Sequence, residues 1–181
     1  MAPERLNQAI NKLPQDTQCW AELRYGQNLL TDSDIHNPGT LVNFHQRERV
    51  AFHEEGHASL ARALGWTVLL ETVVPDGSSL GMTKAAPNSS KTPDQLILDA
   101  IAISAGGEAA EEMLGVSDHS GCGFDRGKQR YLASIFLLIT GSRGSVDSVI
   151  SGQKSRARSF LGSIGLYTHQ QNSMTLLRAC A

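Results

Sequence analysis

Between Gln46 and Leu64 the apolar residues Val50, Ala51, Phe52, Ala58, Leu60, Ala61 and Leu64 recur among charged neighbours, interrupted only by Gly56 and closed by Gly65. This pattern predicts a mostly buried helix. The period then changes. Thr67–Val74 is rich in leucine and β-branched residues, Pro75-Asp76-Gly77 is turn chemistry, and Leu80–Lys84 is a second short run, so two strands of a small sheet are expected. A polar loop follows over Pro87–Pro93, where Thr92 before Pro93 and Asp94 makes a good opening for a helix reaching about Leu114. The Gly106-Gly107 pair inside it would let another helix approach closely. After a turn at Gly115–Gly123, two more helices are predicted over Asp125–Thr140 and Ser145–Leu161, separated by Gly141–Gly144.

Residues 1–45 read as an N-terminal extension, with short helices at Pro3–Leu13 and Trp20–Leu30 and turn residues over Asp32–Gly39. Residues 166–181 read as a loosely ordered C-terminal tail. The expected fold is therefore α+β and predominantly α-helical: a domain over residues 46–165 in which the Gln46–Leu64 helix packs on further helices, with a small sheet beside a cleft.

A chain of 181 residues can bury a core without crosslinks. Cys19, Cys122 and Cys180 are odd in number and widely spaced, which is no disulfide framework, so the cytoplasm or another reducing compartment is expected. With 18 acidic and 16 basic residues, no global field draws the chain to nucleic acid or an anionic membrane. The N-terminus lacks a basic stretch followed by an apolar core, and no apolar run approaches the roughly 20 residues that span a bilayer. No membrane anchor of its own is expected.

The chemistry lies on the first of these helices. His53-Glu54-Glu55-Gly56-His57 is H-E-x-x-H, and histidines at i and i+4 lie on one helix face, where two ring nitrogens can hold one zinc ion. Glu54 is then placed to act as general base toward a water activated by that ion. Glu55 points to another face and reads as solvent-facing or salt-bridging. The third ligand is open. A metzincin extension would need Gly at position 60 and His at 63, where this chain has Leu60 and Ala63, so the ligand comes from elsewhere. Candidates are a glutamate among Glu108, Glu111 and Glu112, His119 in the turn, or Asp125, which would also serve as an ordinary helix N-cap.

Four blocks, in order, resemble the peptidase domain of the FtsH family of membrane-bound, ATP-dependent zinc metalloproteases. Val50–Ala58 resembles its H-E-A-G-H helix; Val73-Val74-Pro75 and Leu80-Gly81-Met82-Thr83 resemble two short strands; Ala105–Glu112 resembles G-G-R-A-A-E-E; and Ser120–Asp125 resembles T-G-A-S-N-D. The resemblance implies that Asp125 is the third zinc ligand, that Glu108, Glu111 and Glu112 are structural, and that Leu80–Lys84 offers an edge to an extended peptide. Phe124 stands where the family has asparagine, and Glu108 where it has arginine. There is no G-x-x-x-x-G-K-[ST] motif. The expected function is a zinc endopeptidase for unfolded or loosely structured polypeptide, as a homo-oligomer or with a separate ATPase partner. A non-catalytic or partner-dependent module of a larger protease complex is the alternative.

Overall fold

A computed structural model describes residues 11, 13, 15–26, 30–31, 38–75, 79–88, 90–116 and 119–164. The helix expected at Pro3–Leu13, apart from Asn11 and Leu13, and the tail at 166–181 lie outside the described residues. Among those described, the elements are α1 (Gln15–Gly26), α2 (Pro38–Ala63), β1 (Thr67–Thr72), β2 (Met82–Ala86), α3 (Pro93–Met113), a 3-10 turn at Ser120–Cys122, α4 (Gly123–Thr140) and α5 (Val146–Ile164). The architecture is predominantly helical with one two-stranded antiparallel sheet, as the hydrophobic pattern predicts.

The described residues fall into two compact units, divided between Arg49 and Val50. In the first, Leu13, Trp20, Ala21, Leu30, Leu41 and Phe44 form the core. Arg24 is fully buried there and donates to Glu48 at 2.6 and 3.1 Å, while the Trp20 indole N–H donates to the same carboxylate. An unpaired charge at this depth would be strongly destabilising, so each group needs the other.

Helix α2 begins at Pro38, well before the expected Gln46. The Pro38-Gly39 pair reads as a turn, but proline is tolerated in the first helical turn because the N–H it lacks has no intrahelical partner there. Leu41, Phe44 and Glu48 then fall on one buried stripe of the helix. Helix α1 likewise lies earlier than Trp20–Leu30, because Thr17, Trp20, Ala21 and Arg24 are the residues that the core takes up.

In the second unit, β1 and β2 pair from Thr67↔Ala86 to Thr72↔Met82, with an irregularity between Val68 and Leu70. The second strand starts two residues later than the apolar run at Leu80, since Leu80 is exposed and Gly81 is buried against α2. Helix α3 opens as expected, with Pro93 first and the Gln95 side chain accepting from the Thr92 N–H at 3.2 Å. Every residue from Ile101 to Glu111 is buried. The core gathers Phe52, Leu60 and Ala61 of α2, Ile103, Ala105, Ala109 and Ala110 of α3, and Ala157 and Leu161 of α5.

The central contact is between α2 and α3. A Cβ on Gly106 would lie 2.5 Å from the Gly56 carbonyl oxygen and 2.8 Å from Leu60 Cδ1, and one on Gly56 would meet Ala110 Cβ at 2.7 Å. Only glycine lets these two backbones come so close. This contact sets the H-E-x-x-H face of α2 directly against residues 103–111 of α3.

Candidate metal centre

His53 and His57 leave α2 one turn apart, with their rings edge to face and centroids 4.7 Å apart. Each ring is fixed from behind by α3. His57 Nδ1 lies 2.6 Å from the Ile103 carbonyl oxygen, and His53 Nδ1 lies 2.9 Å from Glu111 Oε1. A carbonyl and a carboxylate only accept, so in the neutral rings both Nδ1 atoms carry the proton and both Nε2 atoms present a bare lone pair. The Gly107 N–H also approaches His57 Nδ1, at 3.3 Å, but the shorter contact to a carbonyl governs the tautomer.

The two bare nitrogens face each other at 3.0 Å, and Asp125 Oδ2, from the first turn of α4, lies 3.1 Å from His53 Nε2 and 3.2 Å from His57 Nε2. Three acceptor atoms thus form a nearly equilateral triangle. Their lone pairs repel unless a positive charge sits among them. The electrostatics of the pocket point the same way: burial disfavours the imidazolium of His53, but Asp125 foremost, then Cys122 and Glu111, outweigh it and hold its pKa up at about 12. Burial would also raise Asp125, yet the His53 and His57 rings hold its carboxyl well below the usual carboxylate range.

A proton is the smallest ion that satisfies such a triangle, and a tetrahedral zinc ion fits it as well. Zinc–nitrogen and zinc–oxygen bonds of about 2.0–2.2 Å put ligand atoms about 3.3 Å apart, close to the observed edges. Two imidazoles and a carboxylate are also a donor set zinc accepts. The side chains of His53 and Asp125 keep 14% and 19% of their surface exposed, so the triangle has an outward face.

Asp125 is held in turn by Ser104, whose hydroxyl donates to Oδ1 at 3.2 Å and so leaves Oδ2 for the histidines. Gln129 donates to the Ser104 carbonyl at 3.0 Å. Ile103, Ser104, Gly107 and Glu111 therefore support the whole triangle from one stretch of α3. Gly107 is part of this fit, because a Cβ there would reach His53 Nε2 at 2.5 Å.

Glu54 is buried, and its Oε2 accepts from the Thr83 hydroxyl of β2 at 2.7 Å. Gly81 closes over the other oxygen, where a Cβ would come within 2.9 Å of Oε1. Glu55 accepts from Arg62 at 3.4 Å and from Ser59, the salt-bridging role expected of it.

The remaining candidates are placed apart from the triangle. Glu108 pairs with Arg126 at 2.8 Å and Lys154 at 2.7 Å, and these cations override burial to bring its pKa down to about 2. Glu112 pairs with Arg158, which lowers its carboxyl. His119 Nδ1 lies 3.3 Å from Glu111 Oε2, behind the triangle. Sequence reasoning missed Ser104, Ile103 and the role of Thr83. A serine or threonine in an apolar run carries no local sign of its partner, and a backbone carbonyl carries none at all.

Residues 40–173 match the family model described as peptidase family M41. The ATP-dependent zinc metalloprotease FtsH of Cutibacterium acnes (strain SK137) is 35% identical over 117 residues, covering 62% of this chain and 16% of that protein. The ATP-dependent zinc metalloprotease FtsH 2 of Salinibacter ruber (strain M8) is 27% identical over 154 residues, 77% of this chain and 22% of its own length. The FtsH of Methylococcus capsulatus (strain ATCC 33009 / NCIMB 11132 / Bath) is 31% identical over 121 residues, 64% of this chain and 19% of its own. The chain spans less than a quarter of the length of these relatives. Among the described residues, no helix is long and apolar enough to cross a membrane.

Proposed function

The chain belongs to peptidase family M41, and from that premise we propose that it is a zinc endopeptidase acting on unfolded or loosely structured polypeptide, with His53, His57 and Asp125 as the metal ligands and Glu54 as the general base. The observation that carries this reading is the triangle of bare donor atoms with edges of 3.0, 3.1 and 3.2 Å.

When bound there, zinc supplies Lewis acidity, acidifying a water and polarising the scissile carbonyl. Glu54 takes the proton from the attacking water and returns it to the leaving amine, which makes it both base and acid in one cycle. Thr83 restrains that carboxylate from the strand side, so its proton-accepting oxygen does not wander between rotamers. Glu111 and the Ile103 carbonyl hold both imidazoles in the tautomer that presents Nε2, and Ser104 turns Asp125 toward them.

Zinc content and cleavage of unfolded casein, measured for wild type and Glu54→Gln with chelation and zinc re-addition, test the proposal. One zinc per chain in both proteins, with activity only in wild type, is the expected result. Zinc without activity in wild type rejects a self-sufficient peptidase, and no zinc in either rejects the ligand assignment.

A further inference from the structure

Cys122 is fully buried at the end of the 3-10 turn and, although it bears on the charge of His53, serves as neither ligand nor base in the chemistry above. Ligand atoms of Cys122, Glu111 and His53 nonetheless lie within 4.8 Å of one another. His53 turns Nδ1 toward Glu111 at 2.9 Å, on the side of its ring opposite Nε2. His119, partly exposed, reaches the other Glu111 oxygen at 3.3 Å. We propose that Cys122, Glu111 and the Nδ1 side of His53 form a second, thiophilic metal site behind the first, taking cadmium or excess zinc, with His119 as the residue through which the ion enters.

The chemistry suits a soft dication. One thiol, one carboxylate and one or two imidazoles are donors that zinc and cadmium share, and the thiolate favours the softer ion. Charge also balances. Binding displaces the Cys122 S–H proton and the His53 Nδ1 proton, so an ion of charge two replaces two protons in a buried space. Glu111 gives up its hydrogen bond from His53 and gains the metal instead.

The site shares His53 with the proposed catalytic zinc, and this gives it a consequence. While Nδ1 keeps its proton, His53 is a neutral ligand oriented by Glu111; once Nδ1 holds an ion, the ring bridges two metals and loses the carboxylate that oriented it. Filling the second site therefore inhibits the first. That consequence rests on the zinc reading above, whereas the existence of the thiolate site does not.

The experiment uses the full chain with Cys19→Ser and Cys180→Ser, so that Cys122 is the one remaining thiol, stripped of metal and titrated with cadmium. Bound cadmium per chain and the ultraviolet thiolate-to-cadmium charge-transfer band are followed together. The expected result is two cadmium ions per chain with the band present, falling to one ion and no band when Cys122→Ser is added, and at least tenfold weaker binding of the band-forming ion in Glu111→Gln. Absence of the band overturns the proposal, as does binding unaffected by Glu111→Gln. A single ion with the band supports the thiolate site while rejecting the His53, His57 and Asp125 assignment, so the two readings fail separately.

Discussion

The Thr83 hydroxyl of β2 donates to Glu54 Oε2 at 2.7 Å and lies 3.1 Å from the Glu54 carbonyl oxygen, which ties the small sheet to the centre of the H-E-x-x-H helix. A carboxylate that must accept and return a proton benefits from being held in one rotamer. Thr83→Val keeps the shape of the side chain and removes the donor. The expected outcome is a loss in kcat of about tenfold, since a hydrogen bond to a charged group is worth about 1.5–3 kcal/mol and part of that is recovered from water. KM and zinc content stay close to wild type, and Thr83→Ser restores most of the rate. Steady-state kinetics on an unstructured peptide, with metal analysis, check this; equal losses in the valine and serine variants would show that the hydroxyl is immaterial.

Ser104 tests the support of the proposed third ligand. Ser104→Ala frees Asp125 Oδ1 and lets the carboxylate rotate away from the histidines, so zinc affinity drops about tenfold or more, the usual effect of removing an outer hydrogen-bond partner. Competition with a zinc-binding dye measures it. Thermal stability of the metal-free protein changes little, whereas at saturating zinc it falls by about 1.4 kcal/mol, the tenfold loss of affinity expressed as stability.

The glycine contact between α2 and α3 predicts a different kind of failure. Gly106→Ala drives a methyl group into the Gly56 backbone, which cannot yield as a side chain tip would. Overpacking of this sort costs about 1–3 kcal/mol or more, visible as a lower Tm for the second unit. Gly107→Ala instead meets the His53 ring, so its first effect is on metal binding, and the ratio of the two effects distinguishes the positions by calorimetry and zinc titration.

Glu108 carries a pH signature. Its folded pKa of about 2 lies below the ordinary 4.5, because Arg126 and Lys154 favour the charged form more than burial opposes it. A depressed carboxylate pKa contributes stability above the unfolded value, and that contribution is lost as pH falls from about 4.5 toward 2. Glu108→Gln is therefore less stable than wild type at pH 7, and the gap narrows through this window until the two converge near its lower end. Urea denaturation at a series of pH values checks the convergence; a constant gap would mean that packing rather than charge is responsible.

Much of the architecture is legible in the order of residues. The i and i+4 spacing of His53 and His57 follows from helical geometry alone, and Gly56, Gly106 and Gly107 mark a close helix contact simply by lacking a side chain in otherwise helical runs. The helix start at Pro38 is not legible, because Pro-Gly is equally good chemistry for a turn and for a first helical turn. Only the burial of Leu41, Phe44 and Glu48 decides between them.

The groups suited to metal binding and proton transfer are recognisable in the chain by their type and local spacing, so His53, Glu54 and His57 stand out without any tertiary contact. Which distant group joins them is a matter of packing. Glu108, Glu111, Glu112, His119 and Asp125 are alike as possible ligands in one dimension. Docking α3 and α4 against α2 turns Asp125 Oδ2 toward both Nε2 atoms and Glu111 toward a single Nδ1, and commits Glu108 and Glu112 to arginine and lysine. Local periodicity reaches only a few residues along the chain. The side of an imidazole that faces a given carboxylate is settled by contacts 58 and 72 residues apart, and these exist only once the helices have packed.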